Sequence, residues 1–77
     1  MDADLKARKL VKLLEIEGYD SIEDLAEAVV MDTVSPAICC NAHCSYTCEM
    51  EPDQDQGFCE ACGGNTVTSA LVLAGLI

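Results

Sequence analysis

Seventy-seven residues carry 14 acids against 4 bases, a net charge of −10, and 51% of them are hydrophobic. A chain of this length buries only roughly 60% of the surface its unfolded form exposes; with no Trp, one Phe and two Tyr its core is aliphatic, and six cysteines stand out as the staple. The charge works against sequence-independent nucleic-acid binding and against anionic membrane surfaces, both of which draw on Lys and Arg.

Met1-Asp2-Ala3-Asp4 places acids where a secretory signal would carry bases, which leads us to expect a cytoplasmic protein. The spacing of Ala7, Leu10, Leu13, Leu14 and Glu17 predicts a helix over residues 4–17 with Lys6, Lys9 and Lys12 mainly outside, ended by Gly18. After the turn Tyr19-Asp20-Ser21, Ser21 can cap a second helix, with Asp24 three residues on. Ile22, Leu25, Ala26, Val29 and Val30 follow the spacing of an apolar helical stripe, and the helix should finish near Met31 or Asp32, because Val34-Ser35-Pro36 favours extended backbone. We read residues 1–34 as a helical hairpin within a single domain.

From Ile38 the composition shifts to Cys, Gly, Asn, Asp and Gln, and residues 35–77 read as a second, metal-binding unit. Residues 46–50 suit a strand, residues 51–56 a polar loop, and Gly57-Phe58-Cys59 the returning strand of a hairpin. Asn65 or Thr66 could cap a final helix carrying Val67, Ala70, Leu71, Leu73 and Ala74, although Thr66-Val67-Thr68 would also suit a strand. The apolar run at residues 69–77 is too short to cross a bilayer, which takes about 20 helical residues. We expect it in the core.

Cys59-Glu60-Ala61-Cys62-Gly63 is a metal knuckle: a tight turn brings two sulfurs to one ion, and glycine permits the positive φ that aims backbone N–H groups at them. Structural zinc takes four ligands, so two more must come from Cys39, Cys40, His43, Cys44 and Cys48. Cys39 and Cys44 are the first choice, since a short loop entered from Pro36-Ala37-Ile38 would close with Cys44 just before the strand; Cys40 with Cys44 is second. Cys48 would face the same side as Cys44 and Tyr46 as a small buried hydrophobe, and His43 would be a loop residue. A two-metal cluster sharing six thiolates fits the count. Rubredoxin-type iron also uses such half-sites, but the spacing of Cys39 and Cys44 departs from them, and Gly63-Gly64 argues against a thioredoxin-like pair at Cys59 and Cys62.

The runs Ser35-Pro36-Ala37-Ile38-Cys39, Cys44-Ser45-Tyr46-Thr47, Glu51-Pro52-Asp53-Gln54-Asp55, Gly57-Phe58-Cys59-Glu60-Ala61-Cys62-Gly63 and Asn65-Thr66-Val67 together resemble a group of short, uncharacterised bacterial and phage proteins with a zinc-ribbon-like cysteine pattern. The resemblance implies a site at Cys39, Cys44, Cys59 and Cys62, with Cys40 and Cys48 as additions to the pattern, and brings no activity with it. The order knuckle, hairpin, knuckle, terminal helix is similar to a treble clef, a fold that hosts many functions. The expected fold is therefore a small α+β zinc-binding domain holding one Zn2+ per chain.

All four bases, Lys6, Arg8, Lys9 and Lys12, lie in the first twelve residues, which leaves twelve acids and no base beyond them. A four-thiolate zinc site adds a charge of −2, and with no neighbouring cation its sulfurs should be electron-rich and easily oxidised. The basic stripe reads as a solvated face or as a dock for an acidic partner. One His, serines in turn contexts and a saturated metal point away from an enzyme and towards a protein-interaction module, for which a homodimer is one arrangement. The alternatives are a transcription-related nucleic-acid factor, opposed by Glu23, Asp24 and Glu27 on the second helix, and a thiol redox or metal-handling protein using Cys40, His43 and Cys48.

Overall fold

The computed structural model describes residues 3–76, without the side chain of Asp32; Ile77, the end of the apolar tail, lies outside the described residues. Helix α1 spans Ala3–Glu17 and α2 spans Ile22–Asp32. Gly18, at φ 81°, ends α1 as its spacing predicts, and the Gly18 and Tyr19 N–H groups both donate to Leu14 O, at 2.9 and 3.0 Å. Ser21 caps α2: its Oγ accepts from the Asp24 N–H at 3.2 Å. Thr33 closes α2 at φ 62°, donating its N–H to Val29 O.

Strands β1 (Ser35–Cys39), β2 (Thr47–Met50), β3 (Gly57–Phe58) and β4 (Asn65–Ser69) form one antiparallel sheet in the order β2-β1-β4-β3, and β4 runs directly into a one-turn helix α3 (Ala70–Leu73). Two expectations are corrected here. Residues 46–50 and 57–59 do not pair as a hairpin, because β2 and β3 lie on opposite edges with β1 and β4 between them. The terminal helix begins only at Ala70: Thr66, Val67 and Thr68 extend as strand, where Ile38 opposes Thr68 and Cys39 opposes Val67. Branched side chains that crowd a helical turn pack well on a pleated surface between two neighbours.

Residues 51–56 carry the chain from one edge of the sheet to the other and are pinned to β4 on the way. Gln54 O accepts from the Ser69 N–H at 3.1 Å, Asp55 O from the Thr68 hydroxyl at 3.2 Å, and Pro52 O from the Ser69 hydroxyl. Ser69 Oγ also accepts from the Val72 N–H, capping α3. Since Ser69 is fully buried, Ser69→Ala strips partners from two groups at once and is expected to lower the unfolding free energy by about 1–3 kcal/mol in a urea titration.

Side chains of β1 alternate between two separate clusters. Ile38 faces Leu13 of α1, Leu25 and Val29 of α2, and Ala70 and Leu73 of α3, with half-buried Cys40 against the same group. Ala37 and Cys39 face Val67 and Cys59 on the other side, where Cys44, Tyr46, Cys48 and Met50 pack around them. Helices therefore cover one face of the sheet, and cysteines cover the other. Gly57 belongs to this second face for a steric reason: a Cβ there would stand 2.0 Å from the methyl group of Met50.

The helix faces differ from the expected ones in two places. Lys9 is buried beside Leu13 whereas Ala7 is exposed, so the inward stripe of α1 runs through positions 5, 6, 9, 10, 13 and 14. In α2, Leu25 and Val29 enter the core, but Val30 is 79% exposed.

Candidate metal centre

Four sulfurs meet on the cysteine face. The Sγ atoms of Cys39, Cys44, Cys59 and Cys62 all lie within 4.8 Å of one another, with Cys39 to Cys62 and Cys44 to Cys59 each 3.8 Å apart. The edge of a tetrahedron of sulfurs about 2.3 Å from a central zinc is about 3.8 Å, so the cluster already has the dimensions of that site. All six cysteines are free thiols.

Period two in β1 decides which of the adjacent cysteines takes part. Cys39 points to the cluster, and Cys40 points to the helical side, where its thiol donates to the Thr68 hydroxyl at 3.3 Å. Cys48 is half-buried against the cluster without joining it, and His43 is exposed. The four cysteines that spacing favours are thus the four brought together.

The two loops that deliver the sulfurs are closed differently. In the second, the Gly63 N–H donates to Cys59 O at 2.7 Å, the Cys59 N–H to Gly64 O at 2.8 Å, and the Cys62 N–H to the Cys59 sulfur at 3.3 Å. Gly63 supports this turn at φ 80°, where a side chain would be strained. In the first loop, the Cys39 N–H donates to Tyr46 O at 2.9 Å and the Cys44 N–H to Asn41 O at 3.1 Å. No glycine occurs between Cys39 and Cys44. Its backbone is met instead by Lys9, whose Nζ donates to Asn41 O at 2.6 Å and to Cys44 O at 2.5 Å.

Lys9 corrects two expectations together. It does not stand on a solvated stripe, being 6% exposed, and the loop that carries Cys44 does have a cation on its backbone. Of the remaining bases, Arg8 pairs with Asp4 one turn away at 3.5 Å on the surface, Lys6 is half-buried and Lys12 is exposed. A signal for Lys9 was present in the chain, since it lies on the stripe of Leu5 and Leu13, one turn from each. Thr66, whose Oγ1 sits 3.1 Å from the Cys39 sulfur, could be placed only through the β1–β4 register.

Burial raises the Cys39 thiol, but hydrogen bonds from the Thr66 hydroxyl, the Asn41 backbone and the thiols of Cys44 and Cys59 outweigh it, holding this sulfur at about 7. Cys44 goes the other way. A backbone hydrogen bond from Tyr46 favours its thiolate, yet its bonds with Cys62, its burial, and its bonds with Cys39 and Cys59 push it up to about 12. Burial, then the nearby Cys59 and Glu60, pushes the Cys48 thiol up as well. One sulfur ionised near neutrality among thiols that share protons is a donor set from which a soft divalent cation displaces protons.

Cys39 and Cys59 are fully buried, Cys44 is half-buried and Cys62 is exposed, so the centre is reached from the Cys62 corner. Among the described residues no helix is long and apolar enough to cross a membrane. Comparison with family models, with curated proteins and with solved structures finds no match for this chain.

Proposed function

We propose that the cysteine cluster holds one zinc ion in a structural role, and that the protein acts by contact with another protein rather than by catalysis. The observation that carries this reading is the meeting of four sulfurs at tetrahedral spacing. Thiolates suit zinc, and four of them complete its tetrahedron, leaving no position for an activated water.

Two loops, after β1 and after β3, each supply two sulfurs, which supports placing the site among zinc-ribbon or treble-clef arrangements and beside the short bacterial and phage proteins of that cysteine pattern. The net charge of −10 and the exposed Glu23, Asp24 and Glu27 of α2 favour a protein partner over nucleic acid. Exposed Val30, Met31 and Val34 at the end of α2 offer that partner an apolar surface, and a second copy of the chain is one candidate for it. A reducing, cytoplasmic setting suits six free thiols.

Cobalt(II) added to the metal-free chain reads the donor set directly. One equivalent is expected to give the intense visible bands of tetrahedral cobalt together with a sulfur-to-metal charge-transfer band, and one equivalent of zinc should bleach both. A weak octahedral spectrum contradicts the site.

A further inference from the structure

The two sulfur-bearing loops solve the same problem by different means. Residues 59–64 turn back on themselves because Gly63 takes a positive φ and its N–H closes on Cys59 O. Residues 39–44 contain no glycine, and the Cys44 N–H closes there on Asn41 O. Their Asn41 and Cys44 carbonyls converge on one ammonium group, brought in from a helix more than thirty residues away in sequence. Lys9 as a whole is 6% exposed. Asn41 O also accepts the Cys44 N–H, so the same oxygen that fixes the turn before Cys44 is held by Lys9.

We infer that Lys9 is a positioning residue for the metal centre, its ammonium holding the residue 41–44 backbone in the shape that presents the Cys44 sulfur and offsetting the negative charge of the loaded thiolates. The inference rests on the zinc reading above. Hydrogen bonds from charged donors are the strong ones, and a cation held close to a four-thiolate centre of charge −2 stabilises the loaded form over the empty one. Because Lys9 belongs to α1, docking of that helix and loading of the metal are coupled, and each tightens the other by the same factor. Of the other bases, Arg8 pairs with Asp4 at the surface, Lys12 is exposed and Lys6 is half-buried.

Competition with a chromophoric chelator measures the effect. Lys9→Met keeps the unbranched stem as far as Cε and removes the charge and donors beyond it. Its zinc affinity is expected to fall roughly 10- to 100-fold, as when groups that orient metal ligands are removed, with faster zinc release to a thiol reagent. Ile22→Ala is the control: it loosens the packing of α2 against the helical core and leaves α1 and its ammonium untouched. It should lower the thermal midpoint and leave zinc affinity close to that of the parent. Unchanged affinity in Lys9→Met, or an equal loss in Ile22→Ala, overturns the inference.

A measurement on the parent chain stands even where Lys9→Met fails to fold. Acylation by an amine-reactive ester, mapped by mass spectrometry, should modify Lys9 more slowly than Lys6 and Lys12 in the zinc-loaded protein, and chelation should abolish that protection. Protection of Lys9 that is indifferent to chelation contradicts the coupling. A parent chain that takes up no zinc at all refutes the zinc reading itself, a result separate from either of these.

Discussion

Cys59→Ser is expected to abolish zinc retention and cooperative unfolding together. The Cys59 residue is fully buried, and its sulfur stands 3.8 Å from the Cys44 sulfur and accepts the Cys62 N–H, so a hydroxyl in its place leaves the centre with three thiolates. Structural zinc contributes apparent binding free energies of about 10–16 kcal/mol in small domains, whereas whole domains are stable by only about 5–15 kcal/mol. A small aliphatic core cannot absorb a loss on that scale. Far-UV circular dichroism against temperature, with zinc content measured on the same sample, should show a gradual transition and no bound metal. Cys48→Ser provides the contrast. That residue packs against the cluster without entering it, so the variant should keep full zinc content and lose on the order of 1 kcal/mol from exchanging a small half-buried apolar group for a polar one. Zinc retained in Cys59→Ser, or lost in Cys48→Ser, contradicts the assignment of ligands.

Acidification should release the metal steeply. Zinc binds thiolates, so each thiol still protonated in the metal-free chain gives up a proton on loading, and affinity changes about tenfold per pH unit for each proton displaced. Cys44, pushed up to about 12, is protonated throughout the neutral range and contributes one such factor everywhere below that value. Cys39, held at about 7, contributes a second only below pH 7, where it too is protonated before binding. From these two thiols alone, affinity should fall about tenfold per unit as pH drops from 9 to 7, and about 100-fold per unit below 7. The sign is fixed by which state carries the protons: the empty chain holds more of them, so low pH favours it. Competition titrations at several pH values check the slope, and an affinity flat between pH 8 and 6 would exclude thiolate ligation.

Much of this architecture is legible in the chain. Gly18 and Ser21 mark the end of one helix and the start of the next because a left-handed residue and a side-chain acceptor are local requirements, answered by local residues. Cys59, Cys62 and Gly63 are legible for the same reason. Cys39 could be preferred to Cys40 only by assuming that an extended segment led into the loop, and the alternation of β1 between its two clusters is what separates them. The order of the strands is not a local property. Residues 46–50 and 57–59 look like a hairpin as long as residues 65–69 are assigned to a helix, and Val67, Ala70, Leu71 and Ala74 satisfy a helical period as well as a strand followed by one turn. Thr66-Val67-Thr68 carried the contrary signal, and the partners that made it decisive, Ile38 and Cys39, lie nearly thirty residues upstream. Lys9 was hidden by its chemistry: a lysine on a helix is ordinarily a solvated residue, and only the fold brings the Asn41 and Cys44 carbonyls to its ammonium. Val30 obeyed the apolar period of α2 and is nonetheless exposed, because only the Leu25 and Val29 side of that helix joins the core.

Elemental analysis of the natively purified protein, combined with its mass under non-denaturing conditions before and after chelation, tests the account most directly. It predicts one zinc per chain, lost on chelation together with the ordered structure of residues 39–62. No metal, iron in place of zinc, or a fold indifferent to the chelator would contradict it.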